Sequence, residues 1–125
     1  MIEQKIQQIK EQLKGVILVA ATKGRNVEEI GNAISAGITV IGENYVQEAA
    51  EKHRQLAGMV AFHLIGHLQK NKVRKAVEIF DMIQTVDDFR IAQKINDECA
   101  KRNKVMPILI EVNIAGEGNK AGCSP

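Results

Sequence analysis

The opening residues carry apolar side chains at a helical spacing. Ile2, Ile6, Ile9 and Leu13 follow one another at intervals of three and four residues, with charged and amide side chains between them. This period places the four side chains on one side of a helix. The pattern predicts an amphipathic helix that ends near Gly15, since glycine commonly follows the last helical turn.

After this helix, short apolar runs alternate with longer helical patterns. The runs predict five strands, at 16–22, 38–43, 60–66, 81–86 and 106–114. The segments between them predict four helices, at 26–37, 45–58, 68–80 and 87–104. Strands and helices in regular alternation are typical of right-handed β-α-β units and of a parallel sheet. The predicted fold class is therefore α/β.

Each predicted strand delivers polar residues or glycine at its carboxyl end. In parallel α/β proteins, ligands bind at the carboxyl ends of the strands, which lie along one edge of the sheet. We therefore expect a shared rim made of Lys23, Glu43, Asn44, Gly66, His67, Thr85, Asp87 and Asn113.

Lys23 is distinctive at this rim because it ends an apolar run and precedes Gly24. Partial burial disfavours an ammonium ion and lowers the pKa of a lysine, which makes the amine a nucleophile towards aldehydes. Gly24 leaves space for a ligand beside that amine. A solvated lysine in a strand-to-helix turn is the alternative.

Composition narrows the functional classes. The 125 residues are 45% apolar but only 3% aromatic and include no Trp, which predicts one domain over residues 1–125 with an aliphatic core. The net charge of +2 is too balanced to indicate nucleic-acid binding. Neither a membrane-spanning run nor metal-ligand spacing is found, and the charged N-terminus lacks a secretory signal. Cys99 and Cys123 suit reduced thiols in the cytoplasm.

Five stretches resemble successive signature blocks of one protein family. They are "LVAATK", "IGENYVQEA", "FHLIGHLQKNKVRKAV", "IQTVD" and "EVNIAGEGNKAG", and together they extend over nearly the whole chain. In order and spacing they resemble the pyridoxal phosphate homeostasis proteins, single-domain relatives of the alanine racemase N-terminal barrel. The resemblance implies a (β/α)8 barrel that holds pyridoxal 5′-phosphate (PLP) as an imine. It also implies a role in vitamin B6 homeostasis without strong catalytic turnover.

The resemblance assigns cofactor-binding positions and no catalytic residue. Lys23 matches the imine lysine, and Lys120 matches a second lysine near the pocket mouth. The remaining positions line or shape the pocket: Asn44, His63, Gly66 and Asn113. For His63, a hydrogen-bonded core histidine is an equal alternative. Three acidic side chains are interpreted as surface charges: Glu48, Glu51 and Glu78.

The chain departs from this family in its number of strands. Five predicted strands make an incomplete barrel preceded by an N-terminal helix, whereas a closed barrel of this type needs eight. Ser124 and Pro125 have the pattern of a helix start, so we interpret the chain as a truncated family member. The resemblance places the phosphate-binding loop in the absent part. We therefore expect weak PLP binding, and self-association through the open side of the barrel.

Two other functions remain open. A PLP-dependent amino-acid racemase would need a second acid or base opposite Lys23, for which tyrosine is the obvious type. Tyr45 is the only tyrosine in the chain, and it follows the second strand. The third possibility is a truncated fragment that binds no cofactor and serves as a scaffold.

Overall fold

Five strands form one parallel sheet in the order in which they occur in the chain. The computed structural model describes residues 2–125. In chain order it contains α1 Ile2–Gln12, β1 Val19–Ala21, α2 Val27–Ser35, β2 Val40–Glu43, α3 Val46–Leu56, β3 Ala61–Leu64, a 3-10 helix Lys70–Lys72, α4 Val73–Ile79, β4 Met82–Val86, α5 Phe89–Lys101 and β5 Ile108–Ile110. None of the helices described in this range is long and apolar enough to span a membrane.

All predicted helices and strands are present, but the strands are shorter than the apolar runs that predict them. β1 was expected from residue 16 and begins at Val19, because pairing with β2 covers only Val19–Ala21. Val16 and Ile17 precede the paired segment and are exposed. An apolar run therefore indicates a strand here, while its length depends on the neighbour with which it pairs.

The helix ends follow the expected capping chemistry. The Asn26 side chain accepts a hydrogen bond from the Glu29 N–H at 2.8 Å, and the Glu29 carboxylate accepts one from the Asn26 N–H at 3.1 Å. This reciprocal pair is a capping box that starts α2. Gly37 follows the end of α2 with a φ of 108°, as expected for a helix stop. At α5, Asp88 is the N-cap, and its side chain accepts a hydrogen bond from the Arg90 N–H.

The two faces of the sheet have different surroundings. Along β3, Phe62 and Leu64 are buried and alternate with half-buried Ala61 and His63. Strand side chains alternate between faces, so one face packs against the helices and the other does not. We call the second side the open face and define it by Val19, Gly42, His63 and Gln84, which parallel register and contacts bring together.

The core lies on the helix-covered face and is mainly aliphatic, as predicted. Phe62 and Phe80 are its large aromatic members. The other large apolar side chains that are almost completely buried are Ile30, Ile41, Leu64, Leu68, Val73, Val77 and Ile83. Tight burial of these branched side chains fixes the helices against the sheet.

The sheet has two free edges. β1 pairs only with β2, and β5 pairs only with β4. In β5 the side chains of Ile108, Leu109 and Ile110 are 37%, 50% and 67% exposed. The incomplete-barrel prediction is thus matched by an apolar edge strand that pairs on one side only among residues 2–125.

Candidate functional site

Lys23 lies in a tight turn directly after β1. The Thr22 carbonyl accepts a hydrogen bond from the Arg25 N–H at 3.0 Å, so Lys23 and Gly24 are the central residues of a β-turn. Gly24 has a φ of 74°, which side-chain-bearing residues rarely adopt and which a type II turn requires at this position. The backbone conformation is sufficient to explain this glycine, and the close approach of a ligand stays a prediction.

The Lys23 side chain is exposed. The partial burial expected for its amine is thus wrong for this structure. An exposed amine at the end of the first strand is accessible to a ligand, although exposure alone also fits a solvated lysine. What distinguishes the position is the hydrogen bonding of the turn on either side of Lys23.

Two side chains of α3 reach the peptide groups that flank Lys23. Glu48 Oε1 accepts a hydrogen bond from the Gly24 N–H at 2.8 Å. Lys52 Nζ donates to the Thr22 carbonyl oxygen at 2.8 Å and to Glu48 Oε1 at 2.9 Å. The Lys23 turn is therefore bound to α3 through both of its flanking residues.

Glu43 is the third charged residue in the group that it forms with Glu48 and Lys52. Its side chain is fully buried on the helix-covered face, so the expectation that it lines the rim is wrong. Lys52 Nζ donates to Glu43 Oε2 at 3.0 Å, and the Thr22 hydroxyl donates to the same oxygen. Glu43 Oε1 lies 3.0 Å from the ammonium but has no directed hydrogen bond. The carboxylate thus depends on Lys52 for its charge compensation.

The charges in this group reinforce one another. The hydrogen bond from Lys52, followed by that from the Gly24 N–H, holds the pKa of Glu48 below its ordinary value, although partial burial opposes them. The positive charge of Lys23 adds to this lowering. Glu48 is therefore an ionised partner of the turn and not the independent surface charge inferred from the sequence.

Sequence reasoning missed Lys52 although a signal was present. Val46, Ala49 and Leu56 form the buried side of α3, and Lys52 occupies the helical position between Ala49 and Leu56. Lys52 is only 6% exposed. A lysine on the apolar side of an amphipathic helix indicates a buried charge that needs partners.

Asn44 and Gly66 meet at the carboxyl ends of β2 and β3. A Cβ atom on Gly66 would collide with the Asn44 carbonyl, so the glycine permits this close approach. The Thr85 hydroxyl, from the end of β4, donates to the Gly66 carbonyl at 2.7 Å. These contacts tie three strand ends together. A groove of about 470 Å³ includes Asn44 and Gly66 in its lining, but Lys23 is not part of that lining.

His63 lies on the open face and is also hydrogen-bonded. Gln84 Nε2 is 2.9 Å from His63 Nδ1, and because an amide nitrogen only donates, Nδ1 is the acceptor. Burial lowers the pKa of His63, and the negative charge of Asp81 opposes this effect. The neutral ring is therefore favoured. The hydrogen bond to Gln84 fits the hydrogen-bonded alternative, and a cofactor contact at His63 stays a prediction.

Asn113 and Lys120 belong to the loop that follows β5. Both ends of the Asn113 amide bind the Glu117 backbone, with Nδ2 donating at 2.6 Å and Oδ1 accepting at 3.2 Å. Lys120 is exposed, and between residues 2 and 125 no hydrogen bond or ion pair joins it to the Lys23 turn. In the same range no cluster of three or more His, Cys, Asp or Glu side chains could hold a metal ion.

Sequence comparison identifies the relatives of this chain. Residues 1–125 match the family model described as alanine racemase, N-terminal domain. The pyridoxal phosphate homeostasis protein of Pasteurella multocida is 39% identical over 127 residues, which cover 99% of this chain and 54% of that protein. The chain thus spans about half the length of this curated relative.

Structural comparison gives the same grouping. PipY of Synechococcus elongatus without PLP superposes with a TM-score of 0.95 and 34% identity, and PipY with PLP bound with 0.92 and 31%. Both alignments cover all of this chain, and 60% and 59% of PipY. Alanine racemase of Clostridium difficile, at 16% identity and a TM-score of 0.76, supports the fold alone. The predicted barrel class is confirmed, with five strand units in this chain.

Proposed function

Because the chain belongs to the alanine racemase N-terminal domain family, we propose that residues 1–125 form one PLP-binding domain that acts in vitamin B6 homeostasis. The observation that carries the proposal is the exposed Lys23 in a turn whose two flanking residues are hydrogen-bonded to α3. The PLP-bound PipY structure, which superposes over the whole chain, supports the same ligand.

Lys23 is the proposed attachment residue. PLP supplies an aldehyde and an electron-withdrawing ring when bound. Lys23 would hold the group covalently through a bond from Nζ to the aldehyde carbon, with the aldehyde oxygen and both amine protons lost as water. Its exposure gives a ligand access to Nζ, and the type II turn with Gly24 fixes the backbone from which the side chain extends.

The residues near the strand ends fit the aldehyde end of the cofactor. The donors there are the primary amine of Lys23 and the side-chain amide of Asn44, and the neutral ring of His63 lies on the open face. Asn113 is the less available of the proposed contacts because the Glu117 backbone occupies its amide. Lys120 is proposed as a second amine, since it is exposed on the same loop.

Weak binding is part of the proposal. The chain spans 54% of the P. multocida relative and 59% of PLP-bound PipY. The resemblance assigns the phosphate contacts to the family segment that this chain does not match. We therefore propose that Lys23 attaches PLP while the phosphate is poorly held. The cytoplasm is the proposed compartment, since both cysteines are free thiols.

A racemase gains no support from the geometry. Tyr45 is the N-cap residue of α3, makes no capping hydrogen bond and is 59% exposed. No contact among residues 2–125 connects its hydroxyl with Lys23. Residues that act on the two sides of one α-carbon must be held in position relative to each other, and no contact among residues 2–125 does this for Tyr45 and Lys23.

Borohydride trapping tests the attachment. The protein is incubated with PLP, reduced, digested and analysed by mass spectrometry, alongside Lys23→Ala and the control Lys14→Ala. Lys14 is exposed and follows α1. We expect wild type and Lys14→Ala to carry an adduct at Lys23. Lys23→Ala should lose this adduct, and it should also lack the visible absorbance that attached PLP gives before reduction. Equal total labelling of wild type and Lys23→Ala would reject the proposal in favour of a non-binding scaffold.

A further inference from the structure

We propose that Glu48 and Lys52 are positioning residues that hold the Lys23 turn from both sides and so set the reactivity of the Lys23 amine. The inference concerns the amine itself, and only its consequence for PLP rests on the proposed function.

The two contacts act on different peptide groups of the turn. Gly24 N–H belongs to the peptide that follows Lys23, and its acceptor is Glu48 Oε1 at 2.8 Å. The Thr22 carbonyl belongs to the peptide that precedes Lys23, and it accepts from Lys52 Nζ at 2.8 Å. Rotation of either peptide would break a hydrogen bond to a charged group. The direction in which the Lys23 side chain leaves the backbone is thereby restricted.

Lys52 has no spare donor in this arrangement. An ammonium group carries three protons, and the three acceptors are the Thr22 carbonyl oxygen, Glu43 Oε2 and Glu48 Oε1. A change at any acceptor leaves one proton unpaired or moves the ammonium. The turn, the end of β2 and the start of α3 are therefore linked through one nitrogen.

Burial makes a purely stabilising role a poor explanation for this group. Lys52 is 6% exposed and Glu43 is fully buried. Buried ion pairs seldom stabilise a fold more than apolar side chains of similar volume, because removing both charges from water is costly. What an apolar pair cannot supply is a donor for the Thr22 carbonyl and, through Glu48, an acceptor for the Gly24 N–H. The specific contribution of these charges is therefore to fix the backbone geometry of the Lys23 turn.

Glu48 offers the cleaner test because its side chain is 31% exposed and its loss leaves the buried pair intact. Glu48→Ala removes the acceptor of Gly24, and Glu48→Gln keeps an oxygen at that position without the charge. Glu51→Ala is the matched control, since Glu51 lies on the same helix and is exposed. A single cooperative melting transition well above the assay temperature establishes that each variant is folded.

Two measurements without PLP decide the inference. In Glu48→Ala we expect hydrogen exchange of the Gly24 amide to be about tenfold faster, the equivalent of one lost charged hydrogen bond. We also expect the Lys23-to-Lys14 labelling ratio, measured with a small acylating reagent, to differ from that of wild type. Glu48→Gln should restore most of both values, and Glu51→Ala should match wild type. If Glu48→Ala and Glu51→Ala give the same Gly24 exchange and the same labelling ratio, the inference is wrong.

PLP trapping then extends the result to the proposed function. In Glu48→Ala we expect trapping at Lys23 to slow by up to about tenfold, because the amine is less well oriented. If wild-type Lys23 takes up no PLP, the proposed function fails, while the exchange and acylation results still decide the positioning inference. If neither the labelling ratio nor the trapping rate changes in Glu48→Ala despite fast Gly24 exchange, the inference fails and the proposed function stands.

Discussion

Lys52 Nζ lies 2.8 Å from the carbonyl oxygen of Thr22, although thirty positions separate the two residues in the chain. The contact crosses from α3 to the end of β1 and joins two successive β-α units. The residue that follows Thr22 is the lysine proposed to attach the cofactor. A helix residue with no place in the family motifs quoted for the site thus bears directly on that lysine's backbone.

Removing the Lys52 ammonium should destabilise the fold strongly. Lys52→Met keeps most of the side-chain volume but leaves Glu43 buried with only the Thr22 hydroxyl as a hydrogen-bond donor. We expect the free energy of unfolding in urea to fall by about 3 to 5 kcal/mol, as for other buried pairs that lose one partner. The control is Lys101→Met, which should change the free energy of unfolding little because the Lys101 side chain is 69% exposed.

The double variant Glu43→Met/Lys52→Met separates charge burial from packing. Since an apolar pair avoids desolvation of both charges, we expect the double variant to recover much of the stability that Lys52→Met loses. Recovery of stability without recovery of Lys23 labelling would agree with the positioning role. A Lys52→Met protein as stable as wild type would contradict the burial argument.

Acid should weaken the contribution of Glu48. A carboxyl whose pKa is lower in the folded than in the unfolded protein stabilises the fold above its ordinary pKa, and loses this contribution as the pH falls through the folded value. The ordinary value for Glu48 is 4.5, and its folded pKa lies below that. We expect the stability difference between wild type and Glu48→Gln to shrink as the pH falls from neutral to below 4.5. A difference that stays constant with pH would refute this.

Much of the fold was predictable because it depends on local periodicity. The order and type of the helices and strands follow from apolar spacing, and Asn26 and Gly37 mark the ends of α2 as their capping chemistry predicts. The strand limits were not predictable in this way, because pairing between distant segments decides them. Val16 and Ile17 are as apolar as the strand that they precede, yet no partner strand reaches them.

The sequence directs the proposal to Lys23 but not to the residues that hold its turn. The motif and the strand end both direct attention to Lys23. The rim position predicted for Glu43 is wrong because alternation along β2 puts its side chain on the same face as Ile41. Lys52 was overlooked because its role depends on Thr22 and Glu43 from two other elements. Such three-way contacts exist only after the β-α units pack together.

Two glycines should respond oppositely to the same substitution. Gly24 has a φ of 74°, so Gly24→Ala should lower the free energy of unfolding by about 1 to 2 kcal/mol. Gly31 lies within α2, and a Cβ there would meet no atom within 4 Å. Gly31→Ala should therefore raise the free energy of unfolding by about 0.5 to 1 kcal/mol. Urea denaturation of the two variants compares them directly, and equal effects would contradict the turn assignment.

Residues 1–125 on their own should self-associate through the β5 edge. Ile110 is 67% exposed on this strand, and an unpaired apolar edge is a template for pairing with another chain. We expect the average mass from sedimentation velocity to rise with protein concentration. Ile110→Lys should shift the distribution towards monomer, because a charge on the edge opposes pairing. Val105→Lys is the control, since Val105 is 90% exposed but lies before β5. A wild-type chain that stays monomeric at all concentrations would show that the edge is not used in this way.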